Sequence, residues 1–261
     1  MAGTGVFDAD AHFVLPDGRQ VVAGEFHDPL SGRECCLIET VPDALVGTSA
    51  AHGLLTEFAR TSFPGAERVL VRLGDRAAEI PGFRDHLYYV RLDAPPADAA
   101  ERPADPRVRP AAERDRPKVA GWLDRAFRDA MTAVADDPAP EATAAQAAAV
   151  AGHPDARSFV AECAGTDIGH ITLITGQFDA LTGRDYIELL DMLVEPDHPA
   201  RSAAERRLVA TAGAFAAAAG LPLIGHVVCG APPARTGPAV LAALERRGWV
   251  FDHKYQTFDL R

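Results

Sequence analysis

YIELLDMLVEPDHPARSAAERRLV, from Tyr186 to Val209, is the stretch whose reading decides the fold. Tyr186 to Val194 is a nearly continuous apolar run of strand length. Glu195-Pro196-Asp197-His198-Pro199 breaks it, and from about Ser202 to Ala219 the chain is dominated by alanine and other good helix formers. A strand that passes through a short loop into a helix N-terminus aims several unpaired backbone N–H groups at one point, which suits an anion. The strand also carries two carboxylates, Glu188 and Asp191, and a carboxylate in an apolar strand is expensive to bury without a purpose or a partner. Simple alternation puts these two on opposite strand faces.

Working outward, Leu223 to Val228 reads as a core strand and Pro238 to Arg247 as a helix stopped by Gly248. Trp249 to Phe251 and Tyr255 to Leu260 read as two closing strands. Upstream, Lys118 to Ala135 places Val119, Trp122, Leu123, Phe127 and Met131 at helical spacing, and Glu141 to Ala151 is an alanine-rich helix. Strands Ser158 to Cys163 and Ile168 to Thr175 follow, joined at Ala164-Gly165-Thr166-Asp167. Before these, the segment from Asp93 to Lys118 is dense in proline, alanine and charge, as expected of a connection. The expected organisation is therefore a domain over 1–93, a linker over 94–104 and a domain over 105–261. The first domain reads as strands near Ala11 to Leu15, Gln20 to Phe26 and Glu34 to Thr40, a helix from Ser49 to Arg60, a strand from Arg68 to Leu73, a helical turn at Asp75 to Ile80 and a strand from Leu87 to Leu92.

The 261 residues suffice for two modest cores, and 37 acidic against 26 basic residues, net -11, argue against a nonspecific grip on nucleic acid. The excess lies mostly in residues 1–104, with 16 acids and 9 bases, against 21 and 17 in 105–261, a field that steers a cationic acceptor. Cys35, Cys36, Cys163 and Cys229 show no C-x-x-C spacing, and the N-terminus lacks the pattern of a secretion signal, so reduced thiols and a cytoplasmic location are expected. Leu208 to Ala234 is long and uncharged enough to imitate a membrane span. Its weak hydrophobicity and the break at Gly220-Leu221-Pro222 make it a buried helix, a turn and a core strand. No P-loop, H-E-x-x-H, G-x-S-x-G or G-x-G-x-x-G is present, and the histidines show no zinc-site spacing, so no metal is expected.

In element order, and in the Tyr186 to Val209 stretch together with LERRGWVFDHKYQTFDL from Leu244 to Leu260, residues 105–261 resemble the GCN5-related N-acetyltransferase (GNAT) superfamily. Residues 1–93 resemble a shortened, degenerate copy, in which IETVPDALVGTSAAHGLLTEFAR and PGFRDHLYYVRL parallel the two stretches and the first two helices are missing. The resemblance implies an α/β fold built on a mixed α+β sheet, the acyl-CoA N-acyltransferase fold in tandem. It implies acetyl-CoA or another acyl-CoA as cosubstrate and an amine of a small metabolite, antibiotic-like compound or peptide as acceptor. A fused pair of related domains would replace the dimer that single-domain relatives often form. The family bulges the strand so that backbone groups bind the pantetheine amides, here at Met192, Leu193 and Val194. Its pyrophosphate loop, Arg/Gln-x-x-Gly-x-Gly/Ala, falls on Pro199, Ser202 and Ala204. Arg201, Ser202, Ala203, Ala204 and Glu205 are the implied contacts, with Arg201 replacing a family side chain that Pro199 cannot mimic. The same residues also read as a plain helix start, with Ser202 as N-cap and Glu205 completing a capping box.

For the chemistry, Glu188 stands where several family members carry a catalytic Glu and is the expected base, with Asp191 contacting the amine or acting through water. The family's proton-donating Tyr is replaced by Leu244, which leaves Tyr255 and His253 as substitutes near the acceptor side. His226 reads equally as a cleft residue and as a hydrogen-bonded core histidine. Pro199 and Leu244 motivate a noncatalytic binding or regulatory protein as the alternative, and a hydrolase or decarboxylase in the same coenzyme A cleft, with Glu188 or Asp191 activating water, is a third reading.

Overall fold

In the computed structural model, residues 12–94, 106–134, 136, 138, 141–230 and 237–260 are described. The expected linker lies outside them but for residue 94. The chain forms β1 (His12–Val14), β2 (Gln20–His27), β3 (Glu34–Thr40), α1 (Ser49–Ser62), β4 (Arg68–Leu73) and β5 (Arg84–Leu92) before that gap. After it come β6 (Arg107–Pro110), α2 (Arg116–Ala133), α3 (Ala142–Gly152), β7 (Ala156–Cys163), β8 (Thr166–Asp179), β9 (Arg184–Val194), α4 (Arg201–Ala218), β10 (Leu223–Val228), α5 (Gly237–Glu245) and β11 (Val250–Asp259). The five apolar positions read as one face of α2 are all buried, in a cluster with Val160, Ile174 and Leu190. Among the described residues no helix is long and apolar enough to cross a membrane; the uncharged stretch is divided by the end of α4 and a turn before β10.

All strands belong to one sheet, ordered β1-β2-β3-β4-β11-β5-β10-β9-β8-β7-β6. The order contains an exchange. β5 lies antiparallel between β10 and β11, and β11 lies antiparallel between β4 and β5. Each half thus holds two parallel strands one strand-width apart, and the closing strand of the other half fills the gap. The two closing strands match in detail at a spacing of 166 residues. Gly82 and Gly248 precede them with φ of 88° each, a conformation that costs glycine nothing. An extra residue bulges out at His86 in one and at Asp252 in the other.

Helices α1, α4 and α5 pack on one face of the sheet, through the clusters around Leu55 and Val71 and around Leu208, Leu241 and Trp249. Helices α2 and α3 cover the other face only over β7 to β9. Buried Arg68 on β4 bonds Asp136, just beyond α2, at 2.7 and 3.1 Å, and so ties the two halves together on that face. Among the described residues the middle of this second face, from β3 to β10, carries no helix.

Three expectations change. The two closing strands at the C-terminus are one, because a single bulge at Asp252 lets the ladder continue. Asp75 to Ile80 is a bent turn and not a helix. Arg107 to Pro110, read as connection, is an edge strand anchored by one of its two arginines: Arg109 bonds Asp115 at 2.6 Å and Asp167 at 3.0 Å.

Candidate active site

β9 and β10 run parallel and are paired only from Ile187, Glu188 and Leu189 to Leu223, Ile224 and Gly225. Beyond Gly225 they part. β9 meanwhile stays paired to β8, with Met192, Leu193 and Val194 opposite Ile171, His170 and Gly169, so its other edge is left open toward β10. A cavity of about 340 Å³ occupies the opening, lined by Leu189 to Met192 on one side, Gly225 to Val228 on the other, and Val209, Val240 and Leu244 from α4 and α5. At its far end it reaches Phe127 and Met131 of α2, so it passes from one face of the sheet to the other through the splay.

Leu190 is an extra residue in the β8–β9 ladder, between the pairs Leu173–Leu189 and Thr172–Asp191. That bulge shifts the alternation, so Asp191 lies on the same face as Glu188 and not on the opposite one. The two acids still have different surroundings. Asp191 leans on buried His170, 3.2 Å away without the alignment of a hydrogen bond, and His170 stacks on Trp122. Glu188 is buried and has no hydrogen-bond partner among the described residues; the closest base is His226 Nδ1 at 4.0 Å. Burial raises the Glu188 carboxyl above the usual carboxylate range and pushes the His226 imidazole down to about 3. Both are therefore held back from ionising, and His226 Nδ1 is buried with no hydrogen-bond partner among the described residues. His226 lines the large cavity; Glu188 opens into a second one on the uncovered face.

No protein-family model matches the sequence, and no curated protein does. Solved structures match over most of its length. A functionally unknown conserved protein from Staphylococcus epidermidis ATCC 12228 superposes with a TM-score of 0.55 at 15% identity, over 89% of this chain and 87% of its own. A GCN5-related N-acetyltransferase from Sphaerobacter thermophilus gives 0.53 at 17% identity, over 95% and 79%. A GNAT-family acetyltransferase from Colwellia psychrerythraea gives 0.50 at 13% identity, over 88% and 81%. The chain has the GNAT fold.

Within that fold the expected phosphate loop is the tip of α4. The N-cap is Ala200, with no side-chain cap, and not Ser202. The Ala204 N–H already donates to Ala200 O and the Arg201 N–H to His198 O, which leaves the Ser202 and Ala203 N–H groups without a carbonyl partner at the helix start. Arg201 is exposed and bonded to Glu205 at 2.8 Å, so these two candidate ligands presently hold one another, while Ala204 is buried in the core beneath them. Leu244, at the position of the family's tyrosine, lines the large cavity with an apolar surface.

Tyr255 and His253 are not surface residues. Tyr255 is mid-strand in β11, its hydroxyl donating to Glu39 at 3.0 Å, and burial raises its pKa well above the ordinary phenol value. His253 stacks on Tyr89 at 4.3 Å and lies 2.8 Å from Asp252. Both line the second cavity with Glu188, Glu39, Arg72 and Tyr89. The last three, contributed by residues 1–93, went unnoticed in the sequence. A signal was available: Tyr89 follows Gly82 at the spacing by which Tyr255 follows Gly248. Cys35 and Cys36 are buried thiols pushed up to about 12 by desolvation, which leaves them inert at neutral pH. Among the described residues no group of side chains is arranged to hold a metal ion.

Proposed function

We propose that this protein is an N-acyltransferase that takes an acyl group from acyl-CoA and delivers it to an amine. The observation that carries the reading is the cavity through the β9–β10 splay, which ends beside an unpaired buried base and an unpaired buried acid. The open edge of Met192, Leu193 and Val194 suits the pantetheine amides, and the free N–H groups of Ser202 and Ala203 suit the pyrophosphate. Glu188 takes the proton of the attacking amine, directly or through one water, as the new C–N bond forms and the C–S bond breaks. The released thiolate takes its proton from solvent, since Leu244 has none to give. A raised Glu188 pKa suits a base that must accept a proton and then lose it near neutral pH.

Titration calorimetry with acetyl-CoA, followed by thiol release with a panel of amines, tests this. Absence of both binding and turnover would sink it. Pro199, Leu244 and the Arg201–Glu205 pair favour the noncatalytic alternative, which instead expects acyl-CoA to bind and no amine to be acylated.

A further inference from the structure

The second cavity, about 180 Å³, sits on the face of the sheet that carries α2 and α3, over the part that no described helix covers. Its floor is a run of paired strands, β3, β4, β11, β5, β10 and β9, to which both halves contribute. At the bottom lies Glu188, about nineteen-twentieths buried and without a hydrogen bond among the described residues. The cavity's arginine, Arg72, is already committed. It holds Asp179 at 2.7 and 3.1 Å and Glu39 at 3.2 Å, so two carboxylates share one guanidinium and Glu188 has no share in it. Around this centre the walls are aromatic: Tyr89, Tyr186, Tyr255, Phe26 and Phe178. The hydroxyls of Tyr89 and Tyr186 have no hydrogen bond among the described residues. At the mouth, Phe178 and Leu181 are 59% and 41% exposed; of the four large apolar side chains exposed among the described residues, these two line one opening.

We infer that this cavity binds the acyl acceptor, and that the acceptor is a primary amine carried on a single aromatic ring or a flat apolar group of that size. The inference rests on the acyltransferase reading and deepens it. An unpaired acid enclosed by aromatic faces is a receptor for an ammonium group, through charge and through the ring quadrupoles. The exposed Phe178 and Leu181 then cover the apolar body, which accounts for two side chains that otherwise gain nothing from facing water. A cavity of about 150 Å³ is enough for a benzene ring, so a ring with a short amine arm fits the space. A polyamine would require carboxylates spaced along a groove, and here Asp179 and Glu39 are occupied by Arg72. A peptide would look for a strand at the edge of the sheet, and every strand of this floor has a neighbour on both sides.

The test uses the full chain with acetyl-CoA and three acceptors: 2-phenylethylamine, spermidine and an N-capped lysine peptide. Thiol release gives kcat and KM, and calorimetry gives binding of each compound separately. The expected result is a kcat/KM for 2-phenylethylamine at least about tenfold above the other two. Phe178→Ser and Leu181→Ser should each raise its KM by roughly three- to tenfold, from loss of apolar cover, with acetyl-CoA affinity unmoved because neither residue lines the larger cavity. Preference for spermidine or the peptide, or wild-type KM in both serine variants, overturns the inference. If acetyl-CoA binds and spermidine or the peptide is acylated while 2-phenylethylamine neither binds nor reacts, the acceptor assignment falls while the transferase reading stands. If 2-phenylethylamine binds and acetyl-CoA does not, the amine site stands and the transferase reading falls.

Discussion

The molecule contains the same device twice. In residues 1–93, β3 and β4 run parallel as far as Ile38 and Val71 and then separate; in the second half β9 and β10 do so after Leu189 and Gly225. In the first splay Arg72 reaches across to Glu39 and on to Asp179, and Tyr255 adds a bond to Glu39, so the parted strands are laced by charged groups whose needs are met. In the second, the corresponding positions on the neighbouring strands are His226 and Tyr89, which make no hydrogen bond across the gap, and a through-going cavity remains. A satisfied polar network rigidifies, whereas a buried polar atom left without a partner raises the energy of the empty state and so favours whatever ligand pairs with it. The backbone is therefore common to both halves, and what makes one a fastener and the other a candidate site is the accounting of hydrogen bonds.

The largest effect should come from the open side. Glu188→Gln is expected to lower kcat by about 10²–10⁴ while acetyl-CoA still binds by calorimetry. In the wild type the rate should rise with pH along a limb above the ordinary carboxylate range, because burial raises this carboxyl and only its ionised form is a base; the Gln variant should lack that limb. On the fastened side, Arg72→Ala leaves Glu39 and Asp179 facing each other without a cation and should cost about 3–5 kcal/mol in urea unfolding. The same pair has an acid signature. Burial opposes ionisation of Asp179, but the Arg72 guanidinium holds its carboxyl down to about 2, so the stabilisation is full above the ordinary value of 3.8 and disappears as pH falls through about 2. Arg72→Ala should flatten that part of the stability profile.

His226→Arg would give the open half the residue that closes the other, and is expected to weaken acetyl-CoA binding by roughly tenfold or more, with a thermal midpoint no lower than the wild type. Unchanged acetyl-CoA affinity would break the comparison. Tyr255→Phe is the mildest change, taking one hydrogen bond from Glu39 at about 1.5–3 kcal/mol, read by the same unfolding assay. A kcat loss as large as that of Glu188→Gln would instead identify Tyr255 as the proton donor.

What could be read in the sequence was local. The strand, loop and helix from Tyr186 to Val209 fell within a residue or two of β9 and α4, because periodicity and the Pro-rich break are properties of neighbouring residues. Glu188 was legible as an acid in an apolar strand. The bulge was expected at Met192 to Val194 and lies at Leu190 instead, and that single extra residue sufficed to reverse the face assigned to Asp191. The second cavity left one trace only, the matched spacing of Tyr89 and Tyr255 from their glycines: Glu39, Arg72 and Tyr89 meet Glu188 because β5 and β11 trade places, and strand pairing over such separations is not set by local pattern. The short charged strand at Arg107 to Pro110 was hidden by its composition, which is that of a linker.

The exchange of closing strands also sets a schedule for synthesis. β4 ends at Leu73, and the strand that pairs with its free edge begins at Val250, 177 residues later. At usual elongation rates the ribosome takes roughly 10 to 35 s to make that interval. Throughout it the first half carries an unpaired, strongly apolar strand edge, RVLVRL, of the kind that recruits other chains. The sheet closes only when Val250 to Asp259 emerge, so the nascent chain has a long window in which a chaperone that shields sheet edges would raise the yield.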